Sequence, residues 1–118
     1  MAAPLVLVVE DEPDLRDLFC LMLEQDGHRV IAVGEGRDVV DLATEHRPDL
    51  VMLDLTLPDV SGLDVLRSLR LESQVPVLVV TGLAGNEALA AGATDYVLKP
   101  FRPAELIRRV SLLLEKAS

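Results

Sequence analysis

The chain has no tryptophan, a single tyrosine, two phenylalanines and a single cysteine in 118 residues. One cysteine cannot close an internal disulfide, so a disulfide scaffold is excluded and a reducing compartment fits. Long apolar runs are missing as well. The longest is six residues, Leu18 to Leu23, against the ~18 needed to cross a bilayer. No basic-then-apolar signal opens the chain, so a cytoplasmic location is expected. Positive charge is scarce: eleven Lys and Arg stand against twenty Asp and Glu, a formal net charge of -9. So acidic a surface repels phosphate backbones, and neither nucleic acid nor a membrane is expected as a direct partner. What remains is half apolar and about a quarter charged, the composition of an ordinary globular domain. At this length one domain, residues 1–118, is expected.

Strand and helix patterns alternate along the chain. Leu5 to Val9, Leu50 to Leu53 and Val77 to Val80 are unbroken apolar runs rich in β-branched residues, the signature of parallel strands covered on both faces. Val30 to Val33 and Tyr96 to Leu98 read as two more strands. Pro13 opens a helix carrying Leu15, Leu18, Phe19, Met22 and Leu23 at helical spacing. Gly27 offers it a left-handed stop. A short helix ends before Pro48, and another runs around Leu63, Leu66 and Leu69. Asn86 to Ala91 is a short helix candidate closed by Gly92, with Leu89 as its one large apolar anchor. Pro103 starts the last helix, with Leu106, Ile107, Val110, Leu113 and Leu114 on its apolar face. Five β/α units with right-handed crossovers give an α/β sheet with helices on both faces. The expected strand order is 2-1-3-4-5, a flavodoxin-like, doubly wound arrangement whose ligands sit at the carboxyl ends of the strands.

That rule directs attention to the residues just past each strand. The first strand ends in Glu10-Asp11-Glu12, the third in Asp54, the fourth in Thr81-Gly82 and the fifth in Lys99-Pro100. Glu10, Asp11 and Asp54 converge at one sheet edge. Carboxylates so placed repel one another unless protonated or bridged by a cation. A hard divalent ion with oxygen ligands, Mg²⁺ above all, removes the conflict and keeps positions open for water and a phosphoryl oxygen. Glu12 is expected to complement the dipole of the first helix. His28 and His46 have no acid or cysteine partners at metal spacing and read as loop and helix-end residues. Cys20 lies beside the apolar stripe of its helix and is assigned no chemistry.

Four motifs stand in order on the right strand ends: Leu5 to Pro13, Asp54 to Gly62, Thr81-Gly82 and Asp95 to Phe101. Together they resemble the receiver domain of two-component response regulators over essentially the whole chain. The resemblance implies that Asp54 is a phosphoacceptor whose carboxylate becomes an acyl phosphate. It implies that Glu10 and Asp11 hold Mg²⁺, Glu10 through a water, with Thr56 supplying a backbone carbonyl. Thr81 corresponds to the hydroxyl that bonds the phosphoryl oxygen, and Lys99 to the cation paired with another, followed by a cis peptide at Pro100. Tyr96 corresponds to an aromatic switch that turns inward when Thr81 moves, and Gly62 with Pro58 to a tight loop. Leu83, two places after Thr81, corresponds to a position that tunes loss of the phosphoryl group.

The implied partners are a histidine kinase or histidine phosphotransfer protein and a downstream protein effector. The protein would then be a phosphorelay switch rather than an enzyme, catalysing only its own aspartyl phosphorylation and dephosphorylation. From Thr81 to Lys99 the chain is about four residues, or about 1.1 helical turns, shorter than the family's DNA-binding members, so the fourth helix is expected to be shortened. That trims the face of helix 4, strand 5 and helix 5, and the usual phosphorylation-driven dimer through it is not expected. The alternative reading is a protein-interaction module that keeps the fold and acts without phosphorylation. A phosphohydrolase of the haloacid dehalogenase type would need an acid where Thr56 stands, and a flavin phosphate would be repelled by Glu10-Asp11-Glu12.

Overall fold

Five consecutive apolar residues in one strand require cover on both faces of the sheet, and Leu5–Val9 has it. The computed structural model describes residues 2–82 and 85–117, with five strands: β1 (Leu5–Val9), β2 (Arg29–Val33), β3 (Leu50–Leu53), β4 (Val77–Thr81) and β5 (Asp95–Leu98). They form one parallel sheet in the order β2-β1-β3-β4-β5. The three central strands are buried along their whole lengths, while β2 and β5 form the partly exposed edges. The expected topology is therefore the observed one, with strand ends shifted by a residue at β2, β4 and β5.

Strand alternation divides the interior into two layers. Val6, Val8, Leu50 and Met52 face α1 (Pro13–Gln25) and α5 (Pro103–Ala117), where Phe19, Leu23, Leu106 and Val110 meet them and Phe19 stacks on Phe101 with ring centroids 5.5 Å apart. Leu7, Val9, Val51 and Leu53 face α2 (Val39–His46), α3 (Gly62–Glu72) and α4 (Gly85–Ala90).

Local chemistry sets the helix ends. Pro13 occupies the first turn of α1, and the Glu12 side chain caps it, accepting from the amides of Asp14 (3.1 Å) and Leu15 (2.6 Å). Glu12 thus does more than complement the dipole: it satisfies two otherwise orphaned N–H groups. Gly27, at φ +89°, takes the left-handed conformation after α1, and Gly92, at φ +113°, does so after α4.

Two core expectations are corrected. Leu18 is 42% exposed, because Phe19 takes the centre of the buried stripe and the preceding residue points about 100° away from it. Leu89 is 44% exposed, whereas Ala88 is fully buried. α4 lies so close to the sheet that a Cβ on Gly85 would overlap the Tyr96 ring. Small residues, not a large anchor, face inward there.

Asp59, in the connection from β3 to α3, ties that loop to the start of α2. Its two carboxylate oxygens accept from the amides of Gly36 and Arg37, both at 2.9 Å. The Gly36 amide, with that of Arg37, holds the Asp59 carboxyl below its ordinary value against an opposing effect of desolvation. A depressed carboxylate stabilises the fold above its unfolded pKa of about 3.9 and loses that contribution as pH falls through the folded value. Asp59→Asn is therefore expected to be less stable than wild type at pH 7 in urea unfolding. The difference should narrow as pH falls below the unfolded pKa of about 3.9 and through the lower folded value, and a difference that stays constant on acidification would refute the role of the charge.

Candidate functional site

Register places the chemistry. Val9 pairs with Leu53, so Glu10 and Asp54 leave neighbouring strands side by side, and the Asp54 amide still donates to the Val9 carbonyl at 3.0 Å. Thr81, fully buried, ends β4 opposite Leu98, and its carbonyl accepts from the Lys99 amide at 2.8 Å. Lys99 therefore starts from a point locked to Thr81. The Lys99–Pro100 peptide is cis, in agreement with the resemblance.

Glu10 and Asp54 are buried to 1% and 6% exposure, while Asp11 is exposed at the rim. One carboxylate oxygen from each of the three lies within 4.8 Å of the others. The Lys99 ammonium donates to Glu10 Oε1 at 3.0 Å and to Asp54 Oδ2 at 3.3 Å. The second oxygens of those acids accept from main chain: Glu10 Oε2 from the Glu12 amide at 3.2 Å, Asp54 Oδ1 from the Thr56 amide at 3.1 Å. Burial pushes the Glu10 carboxyl above its ordinary value and the charge of Asp54 adds to that, while Lys99 and the Glu12 amide recover part of it. Burial alone would lower the Lys99 ammonium. The Glu10 hydrogen bond and the charges of both acids outweigh it, so the group sits above its ordinary value. A raised ammonium stabilises the fold fully below its unfolded pKa of about 10.4, which covers the whole neutral range.

One ammonium faces three carboxylates. Like charges about 4 Å apart repel by about 4 kcal/mol at an effective dielectric of 20, so the cluster retains an uncompensated demand for positive charge. The donors are all hard oxygens, the set that takes a small divalent cation. The residues present fit such an ion.

Glu10, Asp11, Asp54 and Lys99 thus come together as the strand ends implied, with Thr81 anchored beside Lys99. Thr56 is exposed on the loop after Asp54, which an isolated antiparallel bridge to Ser61 closes. Its amide already binds Asp54, a role the sequence reading did not assign. Nor did that reading pair Lys99 with Glu10, its shorter contact. Gly62 packs so tightly that a Cβ would overlap Leu55 and crowd the Asp54 carbonyl, consistent with a structural glycine. Tyr96 is half-buried on β5, paired with Val79, its ring over Gly85. Leu83 lies outside the described residues.

The remaining candidates sit elsewhere. Burial, with the charges of Glu24 and Asp17, pushes the Cys20 thiol up. His46 is exposed at the end of α2. The His28 ring is enclosed at the turn into β2, its Nε2 3.4 Å from an Asp26 oxygen but outside hydrogen-bonding geometry.

A family model described as the response regulator receiver domain matches residues 6–111. The chain belongs to this family. Among curated relatives of this receiver domain, the DNA-binding response regulator MtrA of Mycolicibacterium smegmatis is 40% identical over 115 residues, which cover 94% of this chain and 50% of MtrA. The cell cycle response regulator CtrA of Brucella ovis is 38% identical, with 95% and 50% covered. The chain spans about half the length of the curated relatives it matches. Among solved structures, the receiver domain of the sensor histidine kinase PA1611 of Pseudomonas aeruginosa, with a magnesium ion coordinated in its active-site cleft, superposes with a TM-score of 0.88 at 33% identity over 97% of this chain and 99% of that one. The BeF3-activated receiver domain of RstA from Klebsiella pneumoniae gives 0.87 at 32% identity, over 93% and 97%. This receiver domain is thus homologous to the phosphorelay switches of two-component signalling.

Proposed function

We propose that this domain takes a phosphoryl group onto Asp54 from a phosphohistidine of a histidine kinase or histidine phosphotransfer protein. The observation that carries the reading is the buried Asp54 carboxylate, held at one oxygen by the Thr56 amide and at the other by Lys99, next to two further acids. An Asp54 oxygen attacks phosphorus, and the P–O bond forms as the P–N bond to imidazole breaks. The bond's electron pair leaves on the imidazole nitrogen. Water later attacks phosphorus, releasing inorganic phosphate and restoring the carboxylate.

In this reading Lys99, which already donates to Asp54, pairs with a phosphoryl oxygen once Asp54 acquires it, and the Thr81 hydroxyl bonds another. Glu10, Asp11, Asp54 and the Thr56 carbonyl would hold Mg²⁺, for which the magnesium in the PA1611 receiver is a precedent. When bound, Mg²⁺ supplies positive charge that offsets both the acids and the incoming phosphoryl oxygens. The domain performs this chemistry on itself alone, and its output is a changed protein-interaction surface that includes Tyr96. Its net charge of -9 speaks against direct contact with nucleic acid. No helix among the described residues is long and apolar enough to cross a membrane, and a cytoplasmic site of action is proposed.

The test is labelling with a small phosphodonor in the presence of Mg²⁺. A hydroxylamine-labile phosphate mapping to the peptide that contains Asp54 is expected. A protein that takes up no phosphate would instead support an interaction module working without phosphorylation.

A further inference from the structure

The β1–β2 register ends at Val9 and Val33. One further bond, from the Glu10 amide to the Val33 carbonyl at 3.0 Å, fixes the donor side of the first acid but leaves the carbonyls of Glu10 and Asp11 outside the sheet. Those carbonyls are held by one side chain. Arg16 Nη1 donates to the Glu10 carbonyl at 3.0 Å and reaches the Asp11 carbonyl at 3.5 Å. Arg16 sits in α1 one turn beyond the Glu12 cap, so these contacts tie the acidic loop to a rigid helix. The guanidinium occupies a space that Gly34, at the end of β2, leaves for it. A Cβ on Gly34 would lie 2.7 Å from Arg16 Nη1, and Gly34 does not have a positive φ that would itself call for glycine.

Two effects of Arg16 on a cation at the acid cluster have opposite signs. Its permanent positive charge repels the ion, so by Coulomb's law alone its removal tightens binding. Its hydrogen bonds order the loop that carries two of the ligands, so by that route its removal weakens binding.

We propose that Arg16 is a positioning residue of the cation site, and that its ordering of the Glu10–Asp11 main chain outweighs the repulsion from its charge. The inference rests on reading Glu10, Asp11 and Asp54 as the Mg²⁺ ligands. Gly34 belongs to the same device, as the residue that makes room for the guanidinium.

The experiment titrates Mg²⁺ into the whole chain by calorimetry, alongside urea unfolding without Mg²⁺. Arg16→Met is expected to raise the Mg²⁺ Kd about tenfold, the scale on which supporting residues act on metal sites. Arg16→Lys, which keeps the charge and a donor, should recover part of that loss. Gly34→Ala keeps the charge but displaces the guanidinium, and should raise the Kd in the same direction by about threefold. A merely structural Arg16 would lower stability without Mg²⁺ and leave the Kd of the folded protein unchanged. Equal or tighter Mg²⁺ binding by Arg16→Met overturns the proposal while leaving the ligand reading intact. Should Arg16→Met fail to fold, an unchanged Kd in Gly34→Ala overturns it equally. Wild-type protein without saturable Mg²⁺ binding overturns the ligand reading, and the proposal with it.

Discussion

Asp54→Asn is expected to abolish phosphoryl uptake while leaving the folded protein nearly as stable as wild type. The amide keeps an oxygen that can accept from the Thr56 N–H, now at 3.1 Å, but it is not a nucleophile toward phosphorus. Two electrostatic changes oppose each other. The substitution removes one partner of Lys99, at 3.3 Å, while the closer Glu10, at 3.0 Å, keeps the ammonium paired. It also removes the repulsion of Asp54 on Glu10 and Asp11. Each effect is on the order of a few kcal/mol at an effective dielectric of 20, so the net change in unfolding free energy should fall within about 1 kcal/mol. Phosphodonor labelling and urea unfolding of the same preparation check both halves. Undiminished labelling would refute Asp54 as acceptor. A loss of several kcal/mol would mean that its charge is needed to hold the strand end together.

Mg²⁺ is expected to raise the melting temperature, more than Na⁺ does at matched ionic strength, and Asp11→Ala to abolish the gain. An ion that binds only the native state adds about 2.7 kcal/mol at a hundred times its Kd. For a domain of this size that is roughly 10 °C. Asp11 is the informative substitution because it is the exposed member of the three, and among the described residues its carboxylate makes no hydrogen bond or ion pair. Its loss should therefore change the Mg²⁺-free protein little. Glu10 and Asp54 are less clean probes, since each also holds Lys99. Thermal unfolding with MgCl₂ and with NaCl at equal ionic strength, on wild type and Asp11→Ala, is the measurement. Stabilisation that survives in Asp11→Ala would put the ion somewhere else.

The parts of this molecule that were readable beforehand are those set by local periodicity and by topology. Val6 and Val8 face one layer and Leu7 and Val9 the other, because strands alternate. A sheet in the order 2-1-3-4-5 then brings the ends of β1 and β3 together whatever the side chains do. Asp54 meeting Glu10 follows from that alone. Side-chain reach across the fold was not readable. Lys99 choosing Glu10 over Asp54 as its nearer partner joins residues 89 positions apart. Arg16 contributes through main-chain carbonyls, which carry no residue-type signal. Leu18 and Leu89 looked like core because periodicity alone cannot tell the centre of an apolar stripe from its margin. Gly85 showed no pattern at all, since its role depends on how closely α4 approaches β5.

The placement of Tyr96 has a spectroscopic consequence. With no tryptophan in the chain and a single tyrosine, fluorescence excited at wavelengths where phenylalanine does not absorb comes from one ring, and that ring lies directly over the first residue of α4. Its quenching by a small solute therefore measures the opening of one helix against one edge strand. The face on which phosphorylation is proposed to act carries its own optical probe, and no label needs to be attached to follow it.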